Sequence, residues 1–424
     1  MDTRLLVKQF IGTAGVQLTA KALAVLTGIV YARYLGPEEY GIYGYVISII
    51  TLLTLPAIAG LHDLLIREVA NYQLGNKLTY ISGIISWSRN YVIIVSFIVV
   101  ILTFLSMNMN IFKSSIIVLM SIALFQIPIR GLMSQQSAIL NGLRKPILSQ
   151  VPMGIISPLI ILLILFISII NQKQITNIFI IKITIFSSII ALILSAFWIG
   201  KYNGVKDNKN VKHFDLKSWH KSLCPFALMS IISTLNSELA TVFIGWLDKP
   251  ESIAYFKVAM QGTLLISLGL NATNTIIMPR IARLYKNKHA DNIQQLLTNS
   301  VRLNVIILLP IIFTLLAYGD VLINVLFGKE YAAAYPIMIV LCVGQIVNVS
   351  MGSVGIVLTM THNEKYCLRA LLLTLIITVI LLSILIPLYS SLGAAYAISA
   401  SVVIWNVVMS FYVYKLTGLK AYIR

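Results

Sequence analysis

Five charged side chains sit inside stretches too apolar to solvate them: Lys21, Arg130, Lys182, Glu238 and Lys257. Glu238 lies near the middle of Leu223–Leu247, an apolar run of 25 residues. At about 1.5 Å per residue such a run crosses a hydrocarbon layer about 30 Å thick. A carboxylate at that depth is unfavourable unless it faces a cavity or a partner. Ser230, Thr234, Ser237 and Thr241 recur beside it at helical spacing, so one stripe of this segment is polar. Such a stripe can hold a proton or a small cation, with Thr234 and Thr241 as supporting oxygens, or it can supply a counterion for one of the bases. Lys21 is about 16 Å along the first apolar run, too deep to reach the surface easily. Thr13, Gln17, Lys21, Gly28 and Tyr31 fall within about 80° of one another, and on a later run Gln261 and Asn271 each lie within about 40° of Lys257. Arg130 and Lys182 are nearer the ends of their runs, where a long stem can reach the headgroup layer, so an inward role and snorkelling both stay open. Four lipid-facing bases would together be unfavourable by on the order of 10–14 kcal/mol, so they are expected to turn inward. The chemistry this set supports is binding of an anion, coupled to a titrating or cation-binding carboxylate.

Covalent chemistry has no comparable support. The sequence contains no phosphate-cradling glycine loop, HExxH or nucleophile elbow, and its five histidines are scattered. Cys224, Cys342 and Cys367 have neither CxxC nor His-rich spacing, so no metal or disulfide framework is expected.

The elements that must position these residues follow from composition. With 58% apolar and 11% charged residues and a mean hydropathy of +0.90, the 424-residue chain reads as an all-α integral membrane protein. Apolar runs place about twelve helices at 10–34, 40–61, 83–106, 114–137, 147–170, 177–200, 223–247, 252–279, 301–318, 331–360, 366–388 and 392–414. No cleavable signal peptide is expected, because the first run is of full length. Prolines 56, 128, 152, 158, 279 and 310 lie in or at the ends of these runs, where each frees a backbone carbonyl and favours a kink. Alternating the loops puts 23 of the 32 basic residues on one side and five on the other, which makes the first side cytoplasmic, with both termini. The net charge of +18 is thereby explained by topology and contact with anionic membrane lipids, without nucleic acid.

A weak internal repeat is present. Pro37-Glu38-Glu39-Tyr40-Gly41-Ile42-Tyr43 is echoed by Pro250-Glu251-Ser252-Ile253-Ala254-Tyr255-Phe256 at an offset of 213 residues. A second echo, at an offset of 218, relates Ala138-Ile139-Leu140-Asn141-Gly142 to Ile356-Val357-Leu358-Thr359-Met360. The expected architecture is therefore two parallel-repeat six-helix lobes, residues 1–212 and 213–424, around a central cationic cavity.

Several stretches together resemble the Wzx-type O-antigen and polysaccharide flippases, the polysaccharide branch of the multidrug/oligosaccharidyl-lipid/polysaccharide exporter superfamily. They are Ala32-Arg33-Tyr34-Leu35-Gly36-Pro37-Glu38-Glu39-Tyr40-Gly41-Ile42-Tyr43, Ile139-Leu140-Asn141-Gly142-Leu143, Met278-Pro279-Arg280-Ile281-Ala282-Arg283-Leu284-Tyr285, Phe327-Gly328-Lys329-Glu330-Tyr331, and Ile386-Pro387-Leu388-Tyr389 followed by Leu392-Gly393-Ala394-Ala395. The resemblance implies a non-enzymatic flippase of the bacterial inner membrane. It would carry a polyprenyl-diphosphate-linked oligosaccharide, an O-antigen or capsule repeat unit, to the periplasmic leaflet by alternating access. By the same resemblance, bases on the first and eighth helices point to Lys21 and Lys257 as head-group ligands. A cation site on the seventh helix points to Glu238, with Na+ or H+ as coupling ion and no other cofactor. Acids found on later helices in some relatives have no counterpart here. The resemblance further implies a monomer that meets other polysaccharide-assembly proteins. Two alternatives stay open: a multidrug exporter of the same superfamily, expected to favour intramembrane acids over bases, and a membrane-embedded glycan polymerase or ligase, expected to carry a large external loop. The topology is tested by reporter fusions: those at Asn208 and Asn287 should be cytoplasmic and those at Met109 and Asp248 external, and two reversed results would overturn the twelve-helix arrangement.

Overall fold

The computed structural model describes residues 3–107, 114–202, 212–286, 290–361 and 363–420, and its regular elements there are all helical. The first half contains α1 (Thr3–Ile58), α2 (Leu61–Leu74), α3 (Leu78–Met107), α4 (Ser114–Ala123), α5 (Gln126–Gly142), α6 (Pro146–Val151), α7 (Ser157–Ile170) and α8 (Asn177–Tyr202). The second contains α9 (Leu216–Leu247), α10 (Pro250–Lys286), α11 (Ala290–Leu326), α12 (Ala334–Met351), α13 (Val354–Met360) and α14 (Glu364–Thr417). Among the described residues, nine helical stretches are long and apolar enough to cross a membrane, which makes this a multi-pass membrane protein. Two of the nine are each interrupted by one non-helical residue, Gly36 in α1 and Ser390 in α14, so each supplies two legs. With α10, this is compatible with the twelve helices expected.

Local sequence explains the breaks. Gly36 takes φ 73° and ψ 171°, a conformation that a side chain would strain, and Pro37 then opens the second leg with its φ already helical. Between α6 and α7 the helix passes through a single π turn, Pro152–Ile156, whose end is marked by the amide of Ser157 donating to the carbonyl of Pro152. Pro158 has no amide to donate, and a widened turn is one way a membrane helix absorbs that loss.

The chain forms two compact units, one comprising Met1–Leu35 and Val46–Thr234, the other Gly36–Tyr45 and Leu235–Arg424. In the first, α2, α3, α5 and α8 pack around Leu64, Leu65, Ile84, Val92, Ile139 and Leu140, and Trp219 of α9 joins this core. In the second, α10, α13 and α14 pack around Ile277, Ile281, Val357, Leu358, Ala370 and Met409. The second sequence echo occupies the same place in both cores. Ile139 and Leu140 are fully buried in one, Val357 and Leu358 in the other. The helices that carry them also end alike. The amide of Leu143 donates to Ile139 and that of Lys145 to Leu140, and the amides of Thr361 and Asn363 donate to Val357 and Leu358, each 218 residues on, at 2.9–3.0 Å. The repeat is thus written in capping geometry more clearly than in residue identity.

The first echo is a contact. Pro37–Tyr43 lies against Pro250–Phe256 within the second unit, so close that a methyl on Gly41 would fall 1.8 Å from the Pro250 carbonyl oxygen. Backbone cannot yield there as a side chain would. Gly41→Ala should therefore lose about 2–3 kcal/mol, read as a lower melting temperature in detergent. Gly15→Ala, whose added methyl meets nothing within 4 Å, should stay within about 0.5 kcal/mol of wild type.

Candidate functional site

In the second unit the site grows from the turn of α1 and the start of α10. Lys257 is half-buried, and its stem lies over the backbone at Gly44. A methyl on Gly44 would come 2.8 Å from Cε and 2.9 Å from Cδ of that lysine, so the glycine forms the notch in which the stem rests. One turn further along α10, Gln261 Nε2 donates to the Tyr40 hydroxyl at 2.9 Å. Its Oε1 is buried with no hydrogen-bond partner among the described residues. Tyr40 is itself buried and leads into an aromatic cluster, stacked on Tyr43 and edge-on to Tyr331, which also meets Tyr255 and Phe327. Burial pushes the Tyr331 hydroxyl above its ordinary value, as do the neighbouring Tyr40 and Glu330, so it stays neutral. Lys257 and Gln261 thus share a face of α10 that packing against Gly44 and Tyr40 fixes. The side chain of Asn271, expected on this face, lies outside the described residues.

In the first unit Lys21 is half-buried on the first leg of α1, with Gln17 exposed one turn earlier. Ala20, next to the lysine, meets the π turn at Gly154, and Tyr31 reaches Thr184 of α8 at 3.4 Å, so this leg is seated along one edge of the face that carries Gln17 and Lys21. Among the described residues the Lys21 ammonium has no hydrogen-bond or ion-pair partner. Arg130 is half-buried and does not simply snorkel: its Nη1 donates to the Thr51 hydroxyl at 3.1 Å, and that hydroxyl donates to the Ile47 carbonyl at 2.8 Å. One turn before it on α5, Gln126 is 2% exposed with both amide atoms unpartnered among the described residues. Lys182 is exposed, between the buried Ile181 and Ile183, and is not brought to Arg130.

On α9, Glu238 is half-buried and makes no hydrogen bond or ion pair among the described residues. The Thr234 hydroxyl donates to the Ser230 carbonyl at 3.0 Å, and Thr241 is buried. Among the described residues no three His, Cys, Asp or Glu side chains gather as a metal cage would need. Tyr40, Gly44, Thr51 and Gln126 were not singled out from sequence. Gln126 precedes Arg130 by four residues and was open to the same helical arithmetic, whereas the partners Thr51 and Tyr40 depend on contacts between distant segments.

The family is decided by residues 6–285, which match the family described as "Polysaccharide biosynthesis protein". The chain belongs to this family. It is 26% identical over 225 residues to the capsular polysaccharide biosynthesis protein CapF of Staphylococcus aureus, covering 53% of this chain and 56% of CapF. It is 21% identical over 208 residues to Agl15 of Haloferax volcanii, described as a probable low-salt glycan biosynthesis flippase, covering 47% of this chain and 43% of Agl15. The chain spans about half the length of the curated relatives it matches. Among solved structures, an inward-facing MATE-family multidrug transporter of the MOP superfamily matches at a TM-score of 0.78 and 13% identity, over 96% of this chain and 98% of that one. The lipid II flippase MurJ in an inward closed conformation matches at 0.76 and 18% identity, over 95% and 87%. At these identities the likeness establishes the fold, which this family member shares with both. The notch at Gly44 is tested by a double-mutant cycle on stability. Gly44→Ala should lower the melting temperature in detergent by forcing the Lys257 stem aside, and adding it to Lys257→Ala should cause little further loss.

Proposed function

We propose that the protein moves a polyprenyl-diphosphate-linked oligosaccharide, an O-antigen or capsule repeat unit, from the cytoplasmic to the periplasmic leaflet of a bacterial inner membrane by alternating access. The observation that carries this reading is the set of bases on apolar helices, above all Lys257 laid in its glycine notch beside Gln261. A hydrocarbon layer rejects a diphosphate, and ammonium groups along its path replace the water it loses. Lysine suits a phosphate that must be released, because it acts as a mobile point charge where arginine would form a rigid fork. Lys21 and Lys257 are the head-group ligands in this reading, with Gln17, Gln261, Asn271, Arg130 and Lys182 available to the sugar and phosphate path. The lipid tail stays in the bilayer, and the protein works as a monomer beside other polysaccharide-assembly proteins, with both termini cytoplasmic. The family and the flippase named among its relatives support transport over catalysis.

Glu238 is the coupling residue in this proposal, binding H+ or Na+ with Thr234 and Thr241. If the ion favours one orientation and the anionic head group the other, each changes the other's affinity by the same factor. The likeness in fold to a multidrug transporter keeps export of organic cations as the rival, and four bases against one acid within the apolar runs is the wrong sign for it. Reconstituted liposomes test both readings. Wild type should flip the lipid-linked glycan, and Lys21→Ala combined with Lys257→Ala should lose flipping while the Lys→Arg pair retains part of it. Glu238→Gln should still bind the head group but lose dependence on proton and sodium gradients. Full flipping by the double alanine variant would overturn the head-group assignment, and equal gradient dependence in Glu238→Gln would overturn the coupling assignment.

A further inference from the structure

The C-terminal end of α10 and the start of α11 border an open cleft of about 390 Å³, its polar side chains exposed, that the transport reading does not use. Arg280 and Arg283 line one wall, and Asn292, Gln295 and Asn299 the other. The two guanidiniums are three residues apart on α10, and the three amides follow at intervals of three and four on α11, so each set shares a helix face. Leu284 and Leu296 complete the lining. Among the described residues no acidic side chain lines this cleft, and neither guanidinium has a hydrogen-bond or ion-pair partner. Two guanidiniums bordering one cleft, without partners among the described residues, carry ten N–H donors and two positive charges. Their planar fork matches phosphate oxygens in pairs. The amides add what a bare phosphate would not need, paired donors and acceptors that suit hydroxyl groups. Arg280 is 30 residues beyond Pro250, about 45 Å along α10. That distance places the cleft at the headgroup layer, at the far end from the Lys257 notch.

We propose that this cleft binds a phosphate ester that also carries free hydroxyls, with the phosphate on Arg280 and Arg283 and the hydroxyls on Asn292, Gln295 and Asn299. That chemistry is common to a glycerol-type phospholipid headgroup and to a soluble sugar phosphate. The cavity lies within the size range of small-ligand pockets. The proposal needs no transported glycan, so its test is separate from that of the flippase reading.

The full chain is reconstituted in nanodiscs containing equal fractions of phosphatidylglycerol, phosphatidic acid and phosphatidylcholine, extracted in detergent, and assayed for retained lipid. Wild type should retain phosphatidylglycerol about tenfold over phosphatidylcholine and above phosphatidic acid. Arg280→Gln combined with Arg283→Gln should abolish the preference for both anionic lipids, and the Lys pair should keep part of it. Gln295→Ala combined with Asn299→Ala should bring phosphatidylglycerol down to the level of phosphatidic acid. An unchanged melting temperature in each variant excludes misfolding as the cause. Glucose 1-phosphate separates the two sources: displacement of the retained lipid assigns the soluble ester, and retention in its presence assigns the headgroup. Equal retention of phosphatidylglycerol and phosphatidylcholine by wild type, or wild-type retention by the Gln pair, would overturn the proposal.

Discussion

A lysine within an apolar helix carries a charge that hydrocarbon does not solvate, and the arrangement around Lys257 answers to that constraint. Its charge needs a route to water or to an anion, and its four-carbon stem needs a surface on which to lie. Gly44 supplies the surface by having no side chain. For the helix that carries Gly44 to come so near α10, its start must pass the Pro250 backbone without a side chain, which is the role of Gly41. The helix must also begin sharply after the first leg of α1, which Gly36 and Pro37 provide. A run of small and conformationally special residues in the first turn thus exists, in physical terms, to seat one lysine. The hydrogen bond from Gln261 to Tyr40 ties the same two segments together one turn further along α10.

The first unit meets the constraint differently. Arg130 gives one of its donors to Thr51, and the threonine hydroxyl passes its own proton to a helix carbonyl, so charge is spread over a fixed chain of dipoles. Lys21 has no such chain among the described residues. A guanidinium held in place and an ammonium left unpaired are suited to different tasks. Glu238 stands in the same condition as Lys21 with the opposite sign, a half-buried charge without a fixed partner, which is what a residue that exchanges ions requires.

Much of this was legible in the sequence because hydrophobic run length is a local property. The helices fall where apolar runs place them, and Pro37 and Pro250 each open a helix after a break. The second echo relates residues that share little identity, yet both copies cap their helices with the same pair of hydrogen bonds. Helical arithmetic orders residues around one axis and says nothing of where that axis is turned. It therefore grouped Gln17 with Lys21 and Gln261 with Lys257, but could not distinguish Arg130, tied to Thr51, from the exposed Lys182. The Gly44 notch was out of reach for a related reason. A glycine in a helix has no sequence mark that separates a close approach from an empty surface, as Gly15, which meets nothing, makes plain.

The central claim is that Lys21 and Lys257 face water within the membrane and hold an anionic head group there. It is tested most directly by thiol accessibility. Lys21→Cys and Lys257→Cys are placed singly in a chain whose three native cysteines are replaced, and labelled with a membrane-impermeant thiol reagent in liposomes. Both positions should label, and polyprenyl-diphosphate-linked glycan should protect them while a neutral lipid glycoside should not. Absence of labelling at both positions, or equal protection by the neutral glycoside, would contradict the account.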